Sequence, residues 1–579
     1  EVARTGLAAD AEEAERRVRE TPIEADAPLV SIVMPTFNRA HTLDEAIQSV
    51  LDQRYRRWEL LIGDDASADR TAEVARRFDD PRIRYFSFEK SNGARTRNKC
   101  LGFARGRVIA YLDSDNLWSP WFLSVMVRSL LAGGMAAFAG YVDITIERGH
   151  ARLDEIRRPK FHPVRLHERN VVDLNGYVHH RAIYDWLGGF DPDLPRLQDW
   201  DLVLRHGAIF PPVSTPLALV LYRRNPSWGQ VTQLYAGHDV RGAVMERTTR
   251  RLENGHPRLR LRAPRPAQIA LLAAARPGSG VLAEGLSRLF GSMANSVIHS
   301  APGFTARAES GSPARLWRDP EALARVIGRL EGADALISIA LDPAAAPALA
   351  RGAGVPVYAL SSTEAGPALI RQDAEAAPIQ LGALPLGADA SDPPAESSES
   401  SIAALFAGRF GVGVDPTVVA ARARQLAVAG ILLVPPDPFG ADWVAIAEDG
   451  QSTPLDPESG LAALRRRADV VVAPDGVGGL EPSAAALFLE AVGRAAVPIV
   501  PGSAFWTPFL EERAAIRLRE AGAGWIIERI KALRADRSLA VLRRRAARGH
   551  QIAFHPELAQ ERLRALACLL ALGRPELQL

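Results

Sequence analysis

Two aspartates separated by one serine, Asp113-Ser114-Asp115, follow the apolar run RVIAYL at 107–112. In an extended chain residues i and i+2 face the same way, so both carboxylates can aim hard oxygens at one point. Such a pair suits Mg2+ or Mn2+ held partly by substrate phosphates rather than caged by protein alone. The same pattern also occurs in many solvated loops. Upstream, Arg95 and Arg97 stand in Asn92-Gly93-Ala94-Arg95-Thr96-Arg97-Asn98, near a predicted helix start. Guanidinium groups beside a carboxylate pair make sense for a diphosphate ligand, and equally for a solvated helix face.

Other polar groups stand where apolar runs end. LVSIVM (29–34) enters Pro35-Thr36-Phe37-Asn38-Arg39, and ELLIG (59–63) empties into Asp64-Asp65-Ala66-Ser67. Ligands of open α/β sheets bind at the carboxyl ends of the strands. Carboxylates there can accept the imide or amino hydrogens of a base and the hydroxyls of a ribose, or cap the helix that starts near 69. Farther on, Gly188-Gly189-Phe190-Asp191 leads to Gln198-Asp199-Trp200-Asp201. An aspartate beside an aromatic, at a helix start that opens on the same cleft, is positioned as a general base; alone it would be a helix cap.

These groups need a scaffold, and the hydrophobic pattern supplies one. Apolar runs at 29–34, 59–63, 82–88 and 107–112 alternate with helical periodicity at Leu43, Ala46, Ile47, Val50 and Leu51, near 69–78 and near 94–104. Runs without polar alternation, separated by helices, predict an α/β unit with a mostly parallel sheet covered on both faces. Residues 140–230 read as loops and shorter strands, with helix resuming near 236–253. Residues 1–27, charged at 10–20, read as an extension carrying a solvated helix.

Taken in order, these motifs closely resemble the GT-A glycosyltransferases of family 2, whose members carry P-T-F/Y-N-R, D-D-x-S, A-R-N, D-x-D and a late E-D or Q-D-W-D. The resemblance covers roughly residues 28–235. It implies a Rossmann-like GT-A domain over 28–260 that transfers a sugar, with inversion, from a nucleotide-diphosphate sugar of UDP, GDP or dTDP type to a glycan or glycolipid acceptor, in building a surface polysaccharide. By analogy Pro35, Thr36, Phe37, Asn38, Asp65, Arg97, Asp113 and Ser114 bind the donor, with Asp65 on the base. Asp113 and Asp115 would hold Mn2+ or Mg2+, and Asp199 would be the catalytic base. His179, Arg181 and Trp200 would face the acceptor, or serve packing. Gln198 stands where many relatives have Glu, and the tight spacing after Gly93 would let Arg95 and Arg97 exchange roles.

Beyond a Pro- and Gly-bearing boundary at 253–266, strand-like runs resume at 268–275, 334–341, 355–360, 430–435, 469–474 and 497–501. Residues 261–579 resemble, faintly, a GT-B-type glycosyltransferase, with lobes near 265–385 and 402–560 joined through the Pro/Ser/acid stretch 388–401. Glu481 and Glu490 stand like that superfamily's paired glutamates. Its phosphate-gripping cations have no clear counterpart, since 407–410 offers only Arg409. That absence argues for a degenerate or scaffolding domain; a second active transferase and a wholly non-catalytic carbohydrate-binding scaffold are the rivals.

Composition bounds the rest. The 579 residues exclude a small binding module, and 70 Lys and Arg against 68 Asp and Glu offer no field that would attract nucleic acid. Two cysteines, Cys100 and Cys568, rule out a disulfide framework and point to a reducing cytosol. No apolar run approaches a membrane span, so any membrane contact would be peripheral, at the inner face. Starting at Glu1 with no signal segment, the chain reads as part of something longer.

Overall fold

The computed structural model describes residues 10–18, 27–132, 134–148, 150–228, 240–255, 258–260, 264–274, 277–300, 320–330, 332–339, 346–363, 366–374, 378–381, 384, 402–406, 415–435, 438–466, 468–472, 482–500, 513–517, 523–536 and 538–573. The chain divides into two compact units, one over residues 1–261 and one over 262–577.

The first unit carries strands β1 (Val30–Thr36), β2 (Trp58–Asp64), β3 (Ile83–Ser87), β4 (Val108–Tyr111), β5 (Leu117–Trp118), β6 (Ala136–Glu147), β7 (His150–Arg157), β8 (Tyr177–His180) and β9 (Val213–Arg224). They form a single sheet in the order β3-β2-β1-β4-β8-β6-β9-β5, with β7 paired to β6. The first four strands are parallel, with Val30 opposite both Trp58 and Val108. β8 runs antiparallel to both β4 and β6. From β1 the chain goes to β2 on one side and later returns to β4 on the other. The carboxyl ends of β1 and β4 therefore flank the topological switch point, where such sheets form a crevice.

Helices flank this sheet: α1 (residues 10–18), α2 (Leu43–Leu51), α3 (Thr71–Arg76), α4 (Gly93–Phe103), α5 (Phe122–Leu131), α6 (Pro163–Glu168), α7 (Arg181–Leu187), α8 (Gln198–Ile209) and α9 (Val240–Glu253). In α2 the residues Leu43, Ala46, Ile47 and Val50 are buried, the apolar stripe that its sequence spacing requires. α4 lies against β1 and β2, and Gly63 is what lets it approach: a Cβ there would stand 2.5 Å from Cys100 Sγ and 3.0 Å from Thr96 Cγ2.

Two expectations are corrected. The stretch 140–230 was expected to hold only loops and short strands, yet β6 and β9 are twelve residues each. The run AAFAG opening β6 hides a strand behind small side chains, which the structure needs: a Cβ on Gly140 would meet Arg157 O at 2.1 Å. Nor is α1 solvated. Ala14 is buried in the core, and Asp10 Oδ2 accepts from Arg158 Nε at 3.0 Å, Arg158 Nη2 at 2.8 Å and the Ala218 N–H at 2.7 Å.

The second unit holds two sheets. One has the spatial order Ala294–Ser300, Ala267–Ala273, Ala335–Ile339, Val357–Thr363, Gly366–Arg371, Ile379–Gln380. The other runs Ser452–Leu455, Trp443–Ile446, Ile431–Val434, Ile402–Phe406, Ala468–Val472, Val497–Val500, Ile516–Arg517. Both are parallel except at one edge. The helix Pro482–Gly493 is buried on nearly every face, because it touches strands of both sheets. The expected linker at 388–401 lies outside the described residues, as do Arg409 and Glu481. Glu490 is described: Arg465 Nε and Nη2 hold its carboxylate at 2.8 and 3.2 Å, and Arg494 Nε stands at 3.5 Å.

Replacing Gly63 by alanine forces α4 off β2. The expected cost is about 1–3 kcal/mol, read as a lowered denaturant midpoint; an unchanged midpoint would show that the close approach is not needed.

Candidate active site

At the end of β1, Thr36 is buried and its carbonyl accepts the Asp65 N–H at 3.0 Å. Its Oγ1 meets no protein partner among the described residues. Pro35, one residue earlier, is opposite Gly63 in the ladder. Asn38 takes a left-handed φ of 52°, a conformation that Asn tolerates better than most residues. Its N–H donates to Ser67 Oγ at 2.8 Å, and its Oδ1 accepts the Ala68 N–H at 2.9 Å. Asn38 thus stitches the first loop to the second. Between them Phe37 is 41% exposed.

Asp64 and Asp65 divide their work. Asp64 Oδ1 accepts the Ser67 N–H at 2.9 Å, and its Oδ2 takes the Tyr85 hydroxyl. Asp65 is buried, and its Oδ1 accepts Ser91 N–H at 2.7 Å, Ser91 Oγ at 2.9 Å and Thr96 Oγ1 at 3.3 Å. Its Oδ2 faces Lys90 Nζ at 3.0 Å. Lys90 also lies 2.9 Å above the centre of the Phe37 ring. Lys90 and Ser91 escaped the sequence reading because they sit between motifs.

Asp113-Ser114-Asp115 is a turn rather than the extended segment expected, closed by the Asn116 N–H on Asp113 O at 3.1 Å. Alternating geometry does not apply there, and each carboxylate has its own cation. Arg97 Nη2 lies 2.5 Å from Asp113 Oδ1, and Arg39 Nε lies 3.6 Å from Asp115 Oδ2. Ser114 and Asp115 are buried. Arg97, 13% exposed, also reaches Gln198 Oε1 at 3.4 Å, and its Nε is buried with no acceptor among the described residues. Arg95 instead points outward, 3.7 Å from Asp193. Arg97 is therefore the inward arginine of the pair. No cluster of three or more His, Cys, Asp or Glu suited to a metal occurs among the described residues. The donor set is two carboxylates, hard oxygens that fit Mg2+ or Mn2+ only if phosphate and water complete the shell.

Asp199 opens α8, whose preceding residue Leu197 holds a left-handed φ of 58°. Asn170 Nδ2 donates to Asp199 Oδ2 at 2.7 Å. Burial pushes the Asp199 carboxyl above its ordinary value, and nearby Asp113 adds to this, while the Trp200 N–H, Asn170 and Arg97 oppose it. Asn175 performs a parallel task beside Asp113. Its Oδ1 accepts the Asp113 N–H at 2.7 Å, and its Nδ2 donates to Asp173 Oδ1 at 2.9 Å. Asp173 is part-buried, and its carboxyl is pushed up to about 7, chiefly by desolvation and further by Asp199 and Asp113.

His179 and Arg181 were expected to face the acceptor or to serve packing; the packing reading holds, and it is Asn175, before the start of their strand, that lies beside Asp113. β8 runs antiparallel to β4, so Val108 is opposite His180 and the chain moves away from Asp113 as it advances. His179 is 0% exposed, with Nε2 2.9 Å from the Tyr111 hydroxyl and Nδ1 2.8 Å from His180 O. Burial pushes it down to about 4, a neutral core histidine. The Arg181 N–H donates to Arg107 O at 2.8 Å and its guanidinium to Ala104 O, at the amino end of β4. Trp200 is 2% exposed and spends its Nε1–H on Leu166 O at 2.6 Å. None of the three reaches the crevice.

Residues 31–185 match the family model Glycosyl transferase family 2. The chain is 41% identical over 120 residues to the Escherichia coli UDP-Glc:alpha-D-GlcNAc-diphosphoundecaprenol beta-1,3-glucosyltransferase WfgD, covering 21% of this chain and 47% of that one. It is 32% identical over 186 residues to the E. coli K12 putative colanic acid biosynthesis glycosyl transferase WcaA, covering 31% and 66%. The S. aureus TarS 1–349 structure in complex with UDP-GlcNAc aligns with a TM-score of 0.31 at 15% identity, over 39% of this chain and 73% of that one. The N-terminal region is thus a glycosyltransferase domain of family 2. The chain spans about half the length of WfgD and 66% of WcaA.

Asp173 supplies a pH test. Its pKa is raised from 3.8 to about 7 in the fold, so the folded chain binds the extra proton. The associated stability is complete below the unfolded value and lost as pH rises through about 7. The Asp173→Asn variant is expected to flatten the decline in thermal midpoint between about pH 4 and 7. Parallel pH curves for variant and parent would contradict this.

Proposed function

We propose that the first unit is a GT-A, inverting, nucleotide-sugar glycosyltransferase that uses a divalent cation and builds a surface polysaccharide. One observation carries the reading. A part-buried carboxyl with a raised pKa, Asp199, lies within electrostatic reach of the Arg97–Asp113 pair, which supports a base and donor-side charges sharing one crevice. The names of WfgD, a glucosyltransferase on a diphosphoundecaprenol-linked sugar, and of WcaA, in colanic acid biosynthesis, support a glycan or glycolipid acceptor.

In this reading Asp199 takes the proton of the acceptor hydroxyl. The freed oxygen bonds to the anomeric carbon from the face opposite the diphosphate, whose bond to that carbon breaks with the electron pair leaving on phosphate oxygen. Arg97 then turns its unmatched Nε–H towards the growing charge. Asn170 holds Asp199 in line, and Asn175 fixes the backbone of Asp113. Asp113 and Asp115 would hold Mg2+ or Mn2+, which when bound supplies charge neutralisation on the diphosphate. Thr36 lies beside the donor, and Asp65 reads its base.

For the second unit we propose a GT-B-like scaffold without transfer activity of its own. The observation favouring this is Glu490, whose carboxylate is neutralised by Arg465 and Arg494 and so is committed to packing rather than to a ligand.

Asp199→Asn is expected to lower kcat about 10²–10⁴-fold while the UDP or GDP dissociation constant, measured by calorimetry with Mn2+, stays within about threefold. Because burial raises the Asp199 pKa, the acid limb of the rate profile should fall at a pH above the ordinary carboxylate range. Transfer that survives in the Asn variant, or disappears only with Glu490→Ala, would overturn the assignment.

A further inference from the structure

Beside the exposed ring of Phe37, one carboxylate oxygen and one ammonium stand as a pair. Asp65 Oδ1 is saturated by Ser91 and Thr96, whereas Oδ2 meets, among the described residues, Lys90 Nζ at 3.0 Å. Lys90 is half exposed and rests on the Phe37 face. It is one of only four lysines, at 90, 99, 160 and 531, in a chain whose cations are otherwise arginine. A lysine ammonium is a compact charge on a flexible stem. It can leave an aromatic face that a flat ring then covers, while remaining within reach of its carboxylate.

We propose that Lys90 is the specificity-determining residue of the base subsite: together with Asp65 it selects nucleobases that carry a ring N–H beside a carbonyl. This rests on the nucleotide-sugar reading given above. Asp65 Oδ2 accepts from the ring N–H, and Lys90 donates to the neighbouring carbonyl oxygen. Uracil, thymine and guanine present that edge. Cytosine and adenine present an unprotonated ring nitrogen beside an amino group, which sets acceptor against Asp65 and donor against Lys90. The mismatch leaves both charged groups unmatched, the situation in which a polar site discriminates most strongly. Phe37 supplies the stacking face, and Lys90 occupies it until the base arrives.

The test uses the full chain with Mn2+ and calorimetric titration of UDP, dTDP, GDP, CDP and ADP. The parent is expected to bind the first three at least about tenfold more tightly than CDP and ADP. Lys90→Ala should shrink that gap to about threefold or less, chiefly by weakening UDP, dTDP and GDP, and Lys90→Arg should restore part of it. Lys90 is half exposed, so these variants retain the fold, and a thermal midpoint checks this. A parent that binds CDP or ADP as tightly as UDP overturns the proposal, as does an Ala variant that keeps the full gap. A parent that binds none of the five overturns the nucleotide-sugar reading itself, and this proposal with it.

Discussion

β1, β2 and β4 are buried on both faces along almost their whole length. A strand so enclosed has no face on which to carry a working polar group, because a buried polar side chain must be satisfied where it lies. The chemistry is therefore displaced to the points where the chain leaves the sheet. Parallel pairing brings those points to one side, and the reversal of strand order at β1 opens a gap between them. Asp65, Asp113 and the loop of Thr36 are neighbours for this reason alone, although they are far apart in the sequence.

The gap holds an excess of carboxyl groups, and the protein manages them by pairing. Arg97 and Arg39 answer Asp113 and Asp115, while Asp199 and Asp173, with no cation within hydrogen-bonding range among the described residues, are each given an asparagine. An amide donates a hydrogen bond without bringing charge. It can orient a carboxyl while leaving its proton affinity high, which a guanidinium cannot do. The segment Asn170–Asn175 supplies both amides, so one short loop fixes the geometry of Asp199 and of Asp113 together.

The strand ends and the helix of Asp199 were legible in the sequence because burial of both faces leaves a continuous apolar run with a polar stop. Where that signal fails, the reading failed too. β6 opens on alanine and glycine, whose small size serves close packing and carries little hydrophobic contrast. For His179 and Arg181, direction decides which end of a strand meets the crevice, and antiparallel pairing of β8 cannot be read from composition. His179 and Arg181 took the packing role of their two alternatives for that reason, and Asn170, Asp173 and Lys90 were passed over because a lone amide, acid or lysine in a loop has no periodicity. The turn at Asp113 is a third case: local hydrogen bonding replaced the alternation that an extended chain would have had.

In the second unit the helix Pro482–Gly493 has a further consequence. Its apolar girdle is shared between two sheets, so neither sheet owns the surface that the helix covers. The Pro/Ser-rich stretch at 388–401 looks in sequence like a place to cut, yet separating the chain there would strip that helix from one of its two partners and bare an apolar wall on the other. The two sheets thus share one packing wall, and a substitution that loosens the helix is felt by both.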